Sequence, residues 1–223
     1  MTGNTYIVIP AKDEATRIAK VIYDVKCQGF ENIIVVDDGS TDDTSTVSKN
    51  AGAMVYRHPI NLGAGAATQT GIEACLTQGA DFIVTLDADQ QHFPEDIPLL
   101  LNKLKDGQLD LVIGNRFMGG TNKIPLTREI LNGIGNLVSW AASGVWVHDS
   151  QSGFRAFTSE FASKSPLQSD SYEFAIEMIR YVKLHKAKLA EVPIKVKYTE
   201  ETMAKGQNLL SGLRMVSRVF RLF

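Results

Sequence analysis

The sequence predicts an α/β fold in which a mainly parallel β-sheet is covered by helices on both faces. Short apolar runs, such as residues 6–9 and 32–36, alternate with helical patterns through the first half of the chain. The runs are continuously apolar, which is typical of parallel strands that are buried on both faces. Helices between successive strands supply the crossover connections that parallel pairing requires.

Each element of the first half follows from its periodicity and its boundaries. Residues 14–28 carry apolar side chains at helical spacing and end at Gly29, and a second helix begins at Thr41 or Asp42 and ends near Gly52. Gly79 closes a third helix. The predicted strands are 6–9, 32–36, 53–57, 82–86 and 109–114, and the predicted helices are 14–28, 42–50, 65–77 and 94–105.

The second half has a different order of elements. Residues 126–147 form an unusually apolar helical segment that contains Trp140 and Trp146. A short extended stretch at 154–157, an amphipathic helix at 172–185 and a strand at 190–198 follow. The apolar helix is interpreted as an acceptor groove or as the interface of a homodimer.

Length and composition set the class of protein. The chain has 223 residues, which suggests one domain at 1–207 and a short extension at 208–223. The 23 basic and 25 acidic residues nearly balance, which argues against a nucleic-acid-binding protein. The sequence shows no signal-peptide pattern and no apolar stretch approaching ~18 residues, so a cytoplasmic location is expected.

The extension at 208–223 has the pattern of a basic amphipathic helix. Leu209, Leu213 and Val216 share one face, whereas Arg214 and Arg218 share another. Such a helix can lie in a membrane interface, which would place the protein at the cytoplasmic face of the membrane. Packing on the protein's own core or on a second subunit is the alternative.

Acidic residues follow the predicted strands. Asp87 and Asp89 directly follow a buried strand and, being two apart, can face one point. A divalent cation between them removes the repulsion of two carboxylates, and Gln91 could add an amide oxygen. The alternative is a solvated acidic turn. Ligands of parallel sheets bind at the carboxyl ends of strands, so this edge is the predicted site.

Other motifs at this edge have two interpretations each. Asp37 and Asp38 could bind ribose or base, or could cap the next helix. The Gly63-Ala64-Gly65 turn lacks the third glycine of a dinucleotide fingerprint, which favours a close backbone approach at a helix start. Residues 149–155 suit a site loop. Arg116 and Arg128 could clamp phosphate or could be solvated, and Glu173 and Glu177 could serve the site or form an exposed helix face.

Six motifs in order resemble one family, the inverting family 2 glycosyltransferases of the GT-A fold, which is Rossmann-like. The similarity is greatest to the dolichol-phosphate mannose synthase-like branch and to bacterial polyprenyl-phosphate hexosyltransferases, and it runs from about residue 6 to residue 207. The motifs are Ile9-Pro10-Ala11-Lys12-Asp13-Glu14, Val35-Val36-Asp37-Asp38-Gly39-Ser40-Thr41-Asp42, Asn61-Leu62-Gly63, Leu86-Asp87-Ala88-Asp89-Gln90-Gln91-His92, Gly114-Asn115-Arg116-Phe117 and Gly153-Phe154-Arg155-Ala156-Phe157.

The resemblance implies a hexose transfer from a UDP- or GDP-sugar to a polyprenyl phosphate, with Mg²⁺ or Mn²⁺. It places the metal at Asp87, Asp89 and Gln91, and it places the acceptor phosphate at Arg116, Arg128 and Lys205. The family often has Tyr-Asn where this chain has Lys12-Asp13. The implied donor-binding set is Pro10, Ala11, Lys12, Glu14, Val36, Asp38, Gly65, Asp87 and Ala88.

Three other functions remain open from the sequence. A glycosyltransferase with a saccharide hydroxyl as acceptor would need a general base, for which Asp149 and Glu173 are the candidates, whereas a lipid phosphate would not. A non-catalytic nucleotide-sugar-binding protein would have no use for a metal clamp. A nucleotidyltransferase usually has a glycine-rich loop after its first strand, and residues 10–14 contain no glycine.

Overall fold

The computed structural model describes residues 3–119, 124 and 126–197, without the side chains of Leu126 and Arg128. In this part of the chain, seven strands form one sheet in the order β3-β2-β1-β4-β6-β5-β7. The strands are β1 (Thr5–Ala11), β2 (Ile33–Asp37), β3 (Met54–Arg57), β4 (Phe82–Thr85), β5 (Leu111–Asn115), β6 (Arg155–Thr158) and β7 (Leu189–Pro193). The predicted extension helix and Lys205 lie outside the described residues.

Helices cover both faces of the sheet, as the sequence predicts. They are α1 (Ile18–Cys27), α2 (Thr44–Asn50), α3 (Ala64–Thr77), α4 (Ile97–Asp106), α5 (Leu126–Ser143), α6 (Ser159–Lys164) and α7 (Phe174–His185), and a 3₁₀ turn, Pro94–Asp96, precedes α4. Successive residues of β1 point to opposite faces, and residues 6–9 are all buried: Ile7 and Ile9 pack with α1 and α4, whereas Tyr6 and Val8 pack with α3 and α7.

The sheet is parallel except at β6. This strand lies between β4 and β5 and runs antiparallel to both, with Thr85 opposite Arg155. The remaining pairs, β1 with β2 and β4, β2 with β3, and β5 with β7, are parallel. Because β6 is antiparallel, its amino-terminal end meets the carboxyl end of β4, and the loop before β6 is brought to the predicted site.

Several element boundaries differ from the prediction. Helix α1 begins at Ile18 rather than at residue 14, because Asp13 has φ 53° and the chain turns before the helix starts. Helix α5 ends at Ser143, before Gly144 with φ 69°, rather than at residue 147. Strand β7 ends at Pro193 rather than at residue 198, and the short helix α6 is not predicted by the sequence pattern.

Candidate active site

The two carboxylates of the Asp87-Ala88-Asp89 motif lie just beyond the end of β4. Asp89 is partly buried, and its burial, together with the charge of Asp87, raises the pKa of its carboxyl. Tyr172 lines the same cavity as Asp87, and although the residue is 60% exposed, partial desolvation of its hydroxyl and the charges of Asp87 and Asp89 raise the pKa of that hydroxyl. The electrostatic cost of holding two carboxylates together is the kind that a bound cation offsets.

Gly153 shapes the position of Asp87. Thr85 donates a hydrogen bond of 2.6 Å from its Oγ1 to the Gly153 carbonyl oxygen, which extends the pairing of β4 and β6. A Cβ at position 153 would lie 2.7 Å from Asp87 Oδ1. The Asp87 carboxylate therefore lies against bare backbone, and a cavity beside it is lined by Pro10, Gly153 and Tyr172.

His92 faces the same carboxylate from the other side. Its ring Nδ1 is buried, lies 3.4 Å from Asp87 Oδ2 and has no hydrogen-bond partner among the described residues. Gln91 donates from its Nε2 to Asp89 Oδ2, so its amide lies on the site but presents nitrogen there. The nitrogen and oxygen of an amide are assigned from the hydrogen-bond network, and a half-turn would present the oxygen instead.

The donor set fits a hard divalent cation. Mg²⁺ and Mn²⁺ prefer oxygen ligands, and Mg²⁺ is usually held by one or two carboxylates with substrate phosphates completing the shell. Asp87 and Asp89 supply those carboxylates. In the part of the chain that the structure describes, no cluster of three or more His, Cys, Asp or Glu side chains could hold a metal alone. The arrangement therefore suits a cation that binds together with a phosphorylated substrate.

The second acidic motif mainly organises its own loops. Asp37 is fully buried and accepts hydrogen bonds from the Ser40 backbone N–H and from the Ser45 hydroxyl. Asp38 accepts 2.8 Å hydrogen bonds from the backbone N–H groups of Leu62 and Gly63. The loop before α3 is thus tied to the end of β2.

His58 completes this arrangement, and sequence reasoning missed it. Its Nδ1 lies 2.8 Å from Asp38 Oδ1 and its Nε2 lies 3.0 Å from the Thr70 hydroxyl. The isolated histidine after β3 carries no motif, so no sequence signal indicated that it would reach Asp38.

The close backbone approach at the start of α3 is confirmed, and the approaching chain is the protein's own. The Gly65 N–H donates to the Asp170 carbonyl oxygen at 2.8 Å, and a Cβ at position 65 would lie 1.9 Å from the Ser169 carbonyl oxygen. Loop 168–171 thus covers the start of this helix and leads directly into Tyr172. Gly65, predicted in the donor-binding set, packs against this loop.

The other residues predicted to bind the donor lie at the same edge of the sheet. Glu14 is buried and forms an ion pair with Arg17, whereas Lys12 is more exposed and pairs with Asp13 at 3.3 Å. Ala11 and Val36 are buried near the carboxyl ends of β1 and β2, and Ala88 is buried just beyond β4.

Arg116 and Asp149 form a two-pronged ion pair. Arg116 donates from Nε to Asp149 Oδ2 at 2.8 Å and from Nη2 to Oδ1 at 2.7 Å. Its backbone N–H also donates to Oδ2, at 2.9 Å. Asp149 is fully buried, and the Arg116 side chain is 17% exposed. The solvated state considered for Arg116 is therefore wrong, because the pair fixes its guanidinium in one orientation.

Two glutamates considered for an exposed helix face are buried. Glu177 accepts hydrogen bonds from the backbone N–H groups of Gln168 and Ser169, so it holds the loop that covers α3. Glu173 is 4% exposed at the start of α7. The exposed-face interpretation is wrong for both residues. Arg128 belongs to α5, but its side chain lies outside the described residues.

Comparison with known proteins identifies the family. Residues 6–164 match the family model described as Glycosyl transferase family 2. The chain belongs to this family. It is 33% identical to the UDP-N-acetylglucosamine–dolichyl-phosphate N-acetylglucosaminyltransferase of Methanococcus voltae, over 97% of this chain and 95% of that protein. It is 30% identical to the polyprenol monophosphomannose synthase of Mycolicibacterium smegmatis, over 99% of this chain and 86% of that protein.

The fold is also that of known glycosyltransferase structures. The glucosyl-3-phosphoglycerate synthase of Mycobacterium tuberculosis, solved with Mn²⁺, UDP-glucose and phosphoglyceric acid, superposes with a TM-score of 0.73 at 20% identity. The match covers 98% of this chain and 78% of that chain. The predicted GT-A fold is therefore confirmed, and the family 2 chain is a glycosyltransferase.

Proposed function

We propose that this family 2 glycosyltransferase transfers a sugar from a nucleoside diphosphate sugar to a polyprenyl phosphate, with inversion and with a divalent cation at Asp87 and Asp89. The names of two relatives that match nearly the whole chain, one using a dolichyl phosphate and one a polyprenol, support the acceptor. The geometry of the Arg116–Asp149 pair is the observation that favours a phosphate acceptor over a hydroxyl acceptor.

A hydroxyl acceptor needs a base, and Asp149 is poorly suited to be one. Both of its oxygens accept charge-assisted hydrogen bonds from Arg116, and the residue is fully buried. Both oxygens are therefore already occupied by Arg116, and taking a proton from an incoming hydroxyl would require breaking this pair. The second candidate base, Glu173, is also buried, at the start of α7.

A phosphate acceptor needs orientation rather than deprotonation. A phosphate monoester has a second pKa of about 6, so its oxygen is already anionic at neutral pH. Asp149 holds the Arg116 guanidinium in one orientation just after the end of β5, so this positively charged group can orient the phosphate. Arg128 and Lys205 are proposed as further contacts to the same phosphate.

The donor would lie across the carboxyl ends of β1, β2 and β4. Pro10, Lys12 and Glu14 line the nucleoside side in this proposal, and Val36 and Ala88 form its floor. Asp38, through its bonds to Leu62 and Gly63, fixes the loop that borders this region. The diphosphate would then lie over Asp87 and Asp89, with Gln91 turned to present its oxygen.

The reaction is a single displacement in this proposal. An oxygen of the acceptor phosphate forms a bond to the anomeric carbon while the bond from that carbon to the donor's β-phosphate oxygen breaks, and the electron pair leaves with the nucleoside diphosphate. Asp87 and Asp89 would hold a divalent cation, which when bound would stabilise the negative charge that develops on this leaving group. Tyr172 and the loop before β6 close the site beside the sugar.

The test is nucleotide release from UDP- and GDP-sugars with Mn²⁺, with and without a short polyprenyl phosphate. The wild type, Asp89→Asn and the matched control Asp24→Asn on α1 are compared. We expect release from one donor that depends on the lipid phosphate, that falls roughly a hundredfold in Asp89→Asn and that is unchanged in Asp24→Asn. Release indifferent to lipid phosphate would move the acceptor to a hydroxyl, and tight donor binding without release would indicate a non-catalytic binding protein.

The distribution of side chains on helix α5 supports contact with a membrane surface, because its polar side chains are buried and its apolar ones are exposed. Its buried side carries Asn132, Asn136, Ser139 and Ser143. Its outer face, defined by Ile130, Ile134, Leu137 and Trp140, is about half exposed at every position. A water-facing helix surface is ordinarily polar or charged. This face is therefore expected to meet an apolar environment.

The buried side of α5 links this surface to the proposed acceptor site. The amides of Asn132 and Asn136 both donate to the His148 carbonyl oxygen, and Asn136 Oδ1 accepts from the Ser150 N–H. Asp149, which lies between His148 and Ser150 in the sequence, forms the ion pair with Arg116. A bilayer against the outer face would bring lipid phosphates to the same region. We propose interfacial contact through the outer face of α5. No helix among the described residues is long and apolar enough to cross a membrane.

The two tryptophans allow a direct test of this contact. They are the only tryptophans in the sequence, and Trp140 and Trp146 are 49% and 52% exposed. With phosphatidylcholine–phosphatidylglycerol vesicles, we expect a blue shift of emission and quenching by brominated acyl chains. The double variant Ile134→Glu, Leu137→Glu should lose both signals, whereas the control Leu99→Glu on α4 should keep them. A blue shift that depends on protein concentration without lipid would indicate a homodimer instead, and no response to vesicles would refute membrane contact.

A further inference from the structure

Glu191 on β7 gathers hydrogen-bond donors from two separate segments of the chain. Its Oε1 accepts from the Asn115 side-chain amide at 2.9 Å and from the Asp149 backbone N–H at 3.0 Å. Its Oε2 accepts from the His148 backbone N–H at 3.0 Å and lies 2.8 Å from the His148 ring Nδ1. The carboxylate is 14% exposed. One side chain on an edge strand thus ties the end of β5 to the segment that contains Asp149.

These two segments carry the Arg116–Asp149 pair. Asn115, held by Glu191, directly precedes Arg116, and its Oδ1 accepts from the Phe117 N–H at 2.8 Å. Asp149, whose N–H is held by Glu191, accepts from the Arg116 backbone and guanidinium. Glu191 therefore acts on the pair through the residue that precedes Arg116 and through the backbone of Asp149.

We propose that Glu191 is a positioning residue that sets the orientation of Arg116 towards the acceptor. This inference rests on the proposed contact between Arg116 and the acceptor phosphate. Arg116 directly follows β5, and the ion pair fixes its side chain relative to Asp149. Glu191 ties the segment that carries Asp149 to the sheet, because it is anchored in β7, where it pairs in register with Ile113 of β5.

The role requires a side chain of this length that can accept hydrogen bonds on both of its terminal atoms. The donors come from one side-chain amide and two backbone N–H groups, which need acceptor lone pairs on both oxygens. Glutamine would turn an NH₂ group towards the donors on one side. Alanine would leave all three without this acceptor, so the two segments would separate or shift.

The test compares the KM of the acceptor with the KM of the donor. We expect Glu191→Gln and Glu191→Ala to raise KM for the polyprenyl phosphate roughly tenfold or more, with the KM of the donor unchanged. The matched control is Asp110→Asn, since Asp110 Oδ2 accepts from the Lys188 N–H and ties β5 to β7 at the opposite end of the same strand pair. This control should leave both KM values unchanged.

Hydrogen–deuterium exchange supplies a readout that does not depend on activity. Glu191→Ala should speed amide exchange in peptides covering 115–119 and 146–152 and leave peptides of β1 and β2 unchanged. If the wild type does not use lipid phosphate but this local change is seen, the proposed acceptor is wrong, whereas the role of Glu191 in holding Asn115 and Asp149 is supported. If the wild type uses lipid phosphate and Glu191→Ala keeps its acceptor KM, or if exchange rises equally across the whole chain, the positioning role is refuted.

Discussion

The backbone of Gly153 lies directly against the carboxylate of Asp87. A Cβ at position 153 would lie 2.7 Å from Asp87 Oδ1, closer than real Cβ atoms come to a neighbour, and 3.0 Å from Oδ2, which is also tight. We therefore expect Gly153→Ala to push the Asp87 carboxylate out of place and to weaken Mn²⁺ binding in the presence of UDP by roughly tenfold or more, as measured by calorimetric titration.

Gly133 provides the matched control for this substitution. It lies in α5, and a methyl group added at this position would have nothing within 4 Å among the described residues. Gly133→Ala should therefore keep Mn²⁺ affinity and stabilise the fold slightly, because alanine is the better helix former by about 1 kcal/mol. Unchanged Mn²⁺ affinity in Gly153→Ala would show that Asp87 does not need its present position to bind metal.

The relationship between Gly153 and Asp87 could not be predicted from the sequence. The alternation of apolar runs and helices predicts the parallel strands correctly, and it places the acidic residues at strand ends. The pattern at 154–157 predicts an extended segment, but it does not reveal that β6 inserts antiparallel between β4 and β5. Only that insertion brings Gly153 to Asp87.

Local patterns also hide the partners of charged residues. Asp149 and Arg116 are 33 positions apart, and Glu191 is 42 positions beyond Asp149, so no periodicity connects them. The pattern of α5 predicts an apolar helix, but the burial of its asparagines depends on the His148 carbonyl that they contact. The types of residue at the site were thus predictable, whereas the pairing that gives each one its role depends on tertiary contacts.

Removing the charge of Asp89 should stabilise the metal-free protein. Burial and the charge of Asp87 raise the pKa of Asp89, so its ionised form is disfavoured in the folded state at neutral pH. In EDTA, Asp89→Asn should therefore melt a few degrees higher than the wild type, by differential scanning calorimetry.

Added Mn²⁺ and UDP should reverse this order. The wild type should gain stability in proportion to ligand binding, and Asp89→Asn should gain much less. Asp24→Asn should follow the wild type in both conditions, because Asp24 pairs with Lys20 on α1, away from the site. An Asp89→Asn protein that is less stable than the wild type in EDTA would contradict the electrostatic interpretation.

Gly65 should tolerate no side chain, for a structural reason. A Cβ there would lie 1.9 Å from the Ser169 carbonyl oxygen and 2.8 Å from that of Ser171. Gly65→Ala must displace loop 168–171, and we expect a loss of about 2 kcal/mol in the free energy of unfolding by urea titration. Since the same loop leads into Tyr172, the donor KM should rise as well. Stability equal to that of the wild type would show that the loop can move away from α3 at no cost.

Arg155 should be essential for holding the loop that carries Gly153 in place. It is fully buried, and it donates hydrogen bonds of 2.8 Å to the carbonyl oxygens of Ser150, Ser152 and Ala175. Burial lowers the pKa of its guanidinium to about 10, so the group stays charged at neutral pH.

Replacing Arg155 by methionine leaves three carbonyl oxygens without this donor. We expect Arg155→Met to lower the free energy of unfolding by about 3 kcal/mol and to weaken Mn²⁺ binding, because the loop before β6 loses its tie to α7. Arg155→Lys should recover only part of both losses, since a single ammonium cannot reproduce the planar fork that reaches all three oxygens. Lys103→Met, on the exposed side of α4, is the control and should change the free energy of unfolding by less than about 0.5 kcal/mol. If Arg155→Met unfolds at the same urea concentration as the wild type, loop 150–153 is held by something other than this guanidinium.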